Sequence, residues 1–123
     1  MRERALMAVS MTMPILIVDD YNTMIRILRN LLRQLGFSNI DEANDGAAAV
    51  AKMRAKDYAL VISDATIGLQ SRVRDDERMS KTPFVMVAND NGADTPTDTA
   101  SYIVAPFNAQ SLKSKLVSVI GAF

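Results

Sequence analysis

Three aspartates carry the chemistry open to this sequence. Asp19 and Asp20 stand side by side after the apolar run PILIV at residues 14–18, and Asp64 ends a second run, ALVIS, at residues 59–63. Unbroken β-branched runs suit parallel strands buried on both faces. The carboxyl ends of such strands are where open α/β sheets hold their ligands. If the two strands are neighbours, Asp19, Asp20 and Asp64 converge in one acidic pocket. Carboxylates that close repel one another and have raised pKa values unless a cation compensates. Mg²⁺, a hard ion that takes oxygen ligands and keeps part of its water, is the natural guest.

Composition narrows the function classes. The chain has 123 residues, with 14 basic and 14 acidic side chains, so nothing points to electrostatic affinity for nucleic acid or for an anionic membrane. Cysteine and histidine are both absent, which excludes disulfides, thiol catalysis, thiolate or imidazole zinc sites and every histidine-based triad. No apolar run approaches membrane-spanning length. Residues 1–13 are expected to form a disordered N-terminal tail whose apolar part is too short for a signal peptide, followed by one domain over residues 14–123, in the cytoplasm.

The elements that must position the acids alternate between strand and helix. Asn22 is expected to cap a helix whose apolar residues Met24, Ile27, Leu28, Leu31, Leu32 and Leu35 recur at helical spacing, with Gly36 as the stop. Arg26, Arg29, Arg33 and Gln34 read as its solvated face. A short strand at residues 40–43 follows, then a turn at Asn44-Asp45-Gly46 and a helix over 47–56. Strands at 58–64, 84–87 and 102–104 come next, and Asn108 opens a last helix with Leu112, Leu116, Val119 and Ile120 on one face. This alternation predicts a doubly wound, five-stranded parallel sheet of the α/β class.

Two stretches break the rhythm. Residues 69–81 (LQSRVRDDERMSK) place only Leu69 and Val73 well for burial, so the third helix is expected to be short. Residues 88–101 (ANDNGADTPTDTAS) have no large apolar residue, so the fourth helix is expected to be reduced or absent. Arg72, Arg74 and Arg78 could together take a phosphate-bearing ligand, although Asp75, Asp76 and Glu77 favour a self-neutralising surface.

The pieces VDDYNTMIRILRNLLRQLGF, NDGAAAV, YALVISD and YIVAPF, taken together over residues 14–123, resemble the CheY-like receiver domain of two-component response regulators. The flavodoxin-like fold of that family is the one expected here. The resemblance implies a signalling module, not an enzyme. Asp64 would accept a phosphoryl group from a sensor histidine kinase or phosphotransfer protein. Asp19, Asp20 and Asp64 would hold Mg²⁺, with Thr66 giving its backbone carbonyl. Phosphoryl transfer needs an in-line oxygen nucleophile and cations that neutralise the equatorial oxygens, and such strand ends supply both.

The departures are as specific as the matches. The family has a Ser or Thr hydroxyl at the end of strand four, where this chain has Ala88, and a Lys before the strand-five proline, where it has Ala105. Both would bind the phosphoryl group directly. Ala88 leaves open the space into which the strand-five aromatic, Tyr102, turns, so Tyr102 is expected to be biased inward whether or not Asp64 is phosphorylated. Shortening of the third and fourth helices is expected to leave an apolar surface near strands four and five, for an output protein or a homodimer. The Ala105-Pro106 peptide bond is expected to be cis. The alternative, from another function class, is a phosphorylation-independent pseudo-receiver that acts as a protein-interaction adaptor.

Overall fold

The computed structural model describes residues 9–88 and 101–123. Five parallel strands, β1 (Ile15–Val18), β2 (Ile40–Ala43), β3 (Leu60–Asp64), β4 (Phe84–Ala88) and β5 (Tyr102–Val104), form one sheet in the order β2-β1-β3-β4-β5. The helices among the described residues are α1 (Asn22–Gln34), α2 (Gly46–Ala55), α3 (Leu69–Arg72) and α4 (Ala109–Ile120). This is the doubly wound α/β arrangement expected.

Alternation along the strands divides the core into two layers. Ile15, Ile17, Leu60, Ile62, Val85 and Val87 are buried with Ile25, Leu28 and Leu32 of α1 and with Leu112 and Leu116 of α4. Leu16, Val18, Val61 and Met86 are buried instead with Ala49 and Met53 of α2 and Leu69 of α3. Both faces being covered, β1 is buried along its whole length, which is why it reads as an unbroken apolar run. Full burial of each such side chain contributes about 1.5–3 kcal/mol, so packing against the sheet, more than helix propensity, holds the helices.

The third helix is as short as expected: α3 ends at Arg72, and Met79–Lys81 forms a single 3-10 turn. The sheet face beneath it is nevertheless closed by Leu69, Val73, Met79 and Phe84, all buried. Arg78 spans the gap. Its Nη2 donates to the carbonyls of Met53 at 2.7 Å and Arg54 at 3.0 Å, and its Nη1 pairs with Asp57. It thereby satisfies carbonyls at the end of α2 and is withdrawn from the arginine trio considered as an anion site. The expected reduction of the fourth helix falls on residues 89–100, which lie outside the described residues.

Three local expectations are corrected. Asn22 is the first helical residue, not the cap; Tyr21 stands at the cap position without a side-chain bond, and Asn22 Oδ1 accepts instead from Asn44 Nδ2 at 2.8 Å. On α1 the buried residues are Ile25, Leu28 and Leu32, while Ile27 is 41% exposed. The run MIRIL offers two adjacent apolar stripes, and the sheet takes the one centred on Ile25. Finally, residues 9–13 do not trail free of the domain: Val9, Met11 and Met13 pack against the α1 and α4 side of the core. The Met11 carbonyl accepts from the Ser38 N–H at 3.1 Å, and the Thr12 carbonyl from Asn39 Nδ2 at 3.0 Å. Ala105-Pro106 is cis, as expected.

Candidate functional site

The strand order reverses between β1 and β3, which pair with each other while their partners run outward on opposite sides. In such sheets the crevice beyond the carboxyl ends at the reversal is the ligand site. Register sets what occupies it. Val18 is paired with Ser63, so Asp19 and Asp64, each one residue further on, leave the sheet at the same level.

Asp19 extends the ladder one step past β1, its N–H donating to the Ala43 carbonyl at 3.1 Å, and its Oδ1 accepts from the Tyr21 N–H at 2.9 Å. That second bond turns the chain toward α1 and fixes the carboxylate. Asp19 is 4% exposed, Asp64 half-buried and Asp20 exposed, and one oxygen from each lies within 4.8 Å of the others. Burial pushes the Asp19 carboxyl up to about 6, and the Asp64 and Asp20 carboxylates add to that rise against the lowering by the Tyr21 amide. The sequence-predicted acids are therefore brought together, and Asp19 bears the electrostatic cost. An oxygen-only donor set of this charge fits a hard divalent cation such as Mg²⁺, whose presence would oppose the rise.

Thr66 lies in the 3-10 turn Ala65–Ile67 that follows β3, closed by Gly68 in the left-handed region at φ 68°. Both oxygens of Asp64 are engaged by it: Oδ2 accepts from Thr66 Oγ1 at 2.7 Å, and Oδ1 from the Thr66 N–H at 3.4 Å. The hydroxyl bond is the contact at this pocket that the sequence reading missed. An Asp followed two residues later by Thr, at a strand end, is a local side-chain-to-backbone turn signature and was the available signal.

Across the crevice, Asp64 is in register with Val87, so Ala88 stands one residue beyond it. The Ala88 carbonyl accepts from the Ala105 N–H at 2.9 Å. Tyr102, in register with Met86, is half-buried and packs against the α2 and α3 layer. A groove of about 270 Å³ lies between Met24 and Ile27 of α1 and the segment Ala105, Pro106 and Phe107. Val104 on the edge strand is 37% exposed.

The family model for the response regulator receiver domain matches residues 15–116. The chemotaxis protein CheY of Pseudomonas aeruginosa is 39% identical over 118 residues, an alignment covering 87% of this chain and 95% of that protein. CheY-3 of Vibrio cholerae is 39% identical over 115 residues, covering 85% of this chain and 88% of that one. Among solved structures, CheY4 of Vibrio cholerae matches with a TM-score of 0.70 at 23% identity, over 85% of this chain and 96% of that one. A CheY-like response regulator receiver domain from Methylobacillus flagellatus gives 0.72 at 24% identity, over 87% and 98%. At those identities the structural likeness speaks for the fold, whereas the family model and the curated relatives speak for descent. No helix among the described residues is long and apolar enough to cross a membrane. The chain belongs to the response regulator receiver domain family.

Proposed function

We propose that this chain is a chemotaxis-type response regulator, acting in the cytoplasm, that accepts a phosphoryl group on Asp64 from a sensor histidine kinase or phosphotransfer protein and signals by protein contact. The observation that carries this reading is the register of β1 and β3, which delivers Asp19 and Asp64 to the same level of the crevice with Asp20 beside them. The curated relatives of comparable length, named as chemotaxis proteins, support the process.

In this reading an Asp64 oxygen attacks phosphorus in line as the bond to the donor breaks. Asp19, Asp20, Asp64 and the Thr66 carbonyl would hold Mg²⁺, which when bound supplies charge neutralisation at the transferring oxygens. Asp19 is held for that task by the Tyr21 amide, and Asp64 by Thr66. With alanine at 88 and 105, the phosphorylated form is expected to be shorter-lived than in a receiver carrying the hydroxyl and ammonium. Tyr102, half-buried, would be biased inward in both states, and the exposed edge at Val104 supports output, or pairing of two copies, through β4 and β5.

The test is intact-protein mass spectrometry after incubation with acetyl phosphate and Mg²⁺, on the wild type and on Asp64→Ala. One added phosphoryl group that needs both Mg²⁺ and Asp64 is expected. No addition, together with no binding of the stable analogue beryllofluoride, would replace this reading with that of the phosphorylation-independent adaptor.

A further inference from the structure

Thr66 does more at the pocket than a main-chain ligand needs to do. Its hydroxyl lies 2.7 Å from Asp64 Oδ2, while its own amide reaches the other oxygen only at 3.4 Å. Among the described residues no other side-chain hydroxyl donates to that carboxylate; Ser63 Oγ, the nearest in sequence, is turned to the Asp64 backbone carbonyl at 3.1 Å. Thr66 itself is exposed, and no second partner holds its hydroxyl among the described residues. The two positions from which receivers are expected to grip a phosphoryl group by side chain, 88 and 105, are both alanine.

We propose that the Thr66 hydroxyl is this site's side-chain donor to the phosphoryl group, holding the Asp64 carboxylate before transfer and a phosphoryl oxygen after it. The proposal rests on the phosphoacceptor reading above. A carboxylate offers about four lone-pair positions, so the Thr66 bond leaves room for both phosphorus and a cation. In the transfer, one Asp64 oxygen forms a bond to phosphorus while the bond from phosphorus to the donor breaks, and the donor leaves with that electron pair. Asp64 loses its negative charge on becoming the acyl phosphate. The phosphoryl oxygens, by contrast, retain a charge of about −1.5 to −2. The strongest acceptor beside Thr66 therefore changes from Asp64 Oδ2 to a phosphoryl oxygen, and the hydroxyl follows it. The proton stays on Oγ1 throughout; only its acceptor changes.

A purely structural role, in which the hydroxyl merely closes the turn after β3, predicts different behaviour. Thr66→Val keeps the branched shape and the N–H to Asp64 and removes the hydroxyl alone; Thr66→Ser returns a hydroxyl without the methyl group. The readouts are the dissociation constants for Mg²⁺ alone and for beryllofluoride at saturating Mg²⁺, both followed by titration calorimetry on the full chain. Thr66→Val is expected to weaken beryllofluoride binding by about fivefold more than it changes Mg²⁺ affinity, the excess of the hydroxyl's bond to the liganded acceptor over its bond to the free Asp64 carboxylate. Thr66→Ser is expected to recover most of the loss. Where the valine variant does not fold, Thr66→Ala serves in its place. Wild-type beryllofluoride affinity in the valine variant, or an equal weakening for both ligands, overturns the proposal and leaves the phosphoacceptor reading standing. A wild type that binds Mg²⁺ but neither beryllofluoride nor a phosphoryl group removes that reading and this proposal together.

Discussion

The backbone N–H of Ala105 donates to the carbonyl of Ala88 at 2.9 Å, so the two alanines that stand where receivers are expected to carry an ammonium and a hydroxyl are direct neighbours at the carboxyl ends of β4 and β5. One side of the crevice is thus acidic and the facing side carries no polar side chain at these two places. Ala105→Lys is expected to tighten beryllofluoride binding about tenfold and to slow loss of the phosphoryl group, since a charge-assisted bond contributes about 1.5–3 kcal/mol. Ala88→Thr is expected to give less, because Thr66 already supplies a hydroxyl at the acceptor. Titration of both variants against wild type checks this, and a larger gain from Ala88→Thr would show that position 66 does not substitute for position 88.

At the opposite end of the sheet, Tyr58 Oη donates to Asp41 Oδ2 at 2.6 Å, and Lys56 Nζ bonds the same oxygen at 3.0 Å. The tyrosine hydroxyl, then Lys56, hold the Asp41 carboxyl below its ordinary range; burial, then Asp41, push the Tyr58 phenol up. A depressed acid contributes stability in full above its ordinary pKa of about 4 and loses it as pH falls through the folded value. A raised phenol contributes in full below about pH 10 and loses it above. Tyr58→Phe is therefore expected to cost about 1–2 kcal/mol at pH 7 and clearly less near pH 3, read from urea midpoints at unchanged slope. An equal cost at both pH values would assign the loss to packing instead.

How legible all this was depended on the range of the interaction. β1 and β3 were plain because burial on both faces removes polar residues from a strand, so Ile15 to Val18 and Leu60 to Ile62 stand out without any knowledge of their partners. The acids followed, since a strand that ends on Asp places it at a known edge. Ile25 was missed for a different reason: on a helix with apolar residues at 24, 25, 27 and 28, the buried stripe is chosen by the sheet and not by the helix. The Thr66 hydroxyl was obscured by its expected main-chain role, although the local signature was present. Residues 9–13 were unreadable because their bonds go to Ser38 and Asn39, and no periodicity marks a segment held by contacts that distant in sequence.

That last segment yields its own prediction. Met11 lies over Gly36, where φ is 112° and an added Cβ would stand 2.8 Å from Met11 Sδ. Val9, Met11 and Met13 together shield the edge of the α1 and α4 layer. A chain beginning at residue 14 is expected to be less stable by about 2–4 kcal/mol than one beginning at residue 9, from partial burial of three apolar side chains and two hydrogen bonds. Denaturant unfolding of the two truncations measures this, and indistinguishable midpoints would return residues 9–13 to the status of a tail.

Asp19 offers the sharpest separation of stability from function. Its carboxyl, pushed up to about 6 by burial and then by Asp64 and Asp20, is costly to ionise in the folded chain. With a raised folded value, its contribution to stability is full below about pH 4 and is lost as pH rises through about 6, so the cation-free protein loses stability across that window. Asp19→Asn removes the charge but keeps an oxygen to accept from the Tyr21 N–H. Without Mg²⁺ the variant is expected to be the more stable at pH 7.5, by of order 1–3 kcal/mol, and to lose that advantage at pH 4. Mg²⁺ reverses the order: at about a hundredfold its dissociation constant it stabilises the wild type by about 2.7 kcal/mol, while the variant, lacking one ligand and one charge, gains far less. Thermal melts at both pH values and several Mg²⁺ concentrations read out the crossing. A variant less stable than wild type even without Mg²⁺ would mean that Asp19 is held by bonds worth more than the repulsion it suffers, and a gap that does not change with Mg²⁺ would mean that the pocket is not built around a cation.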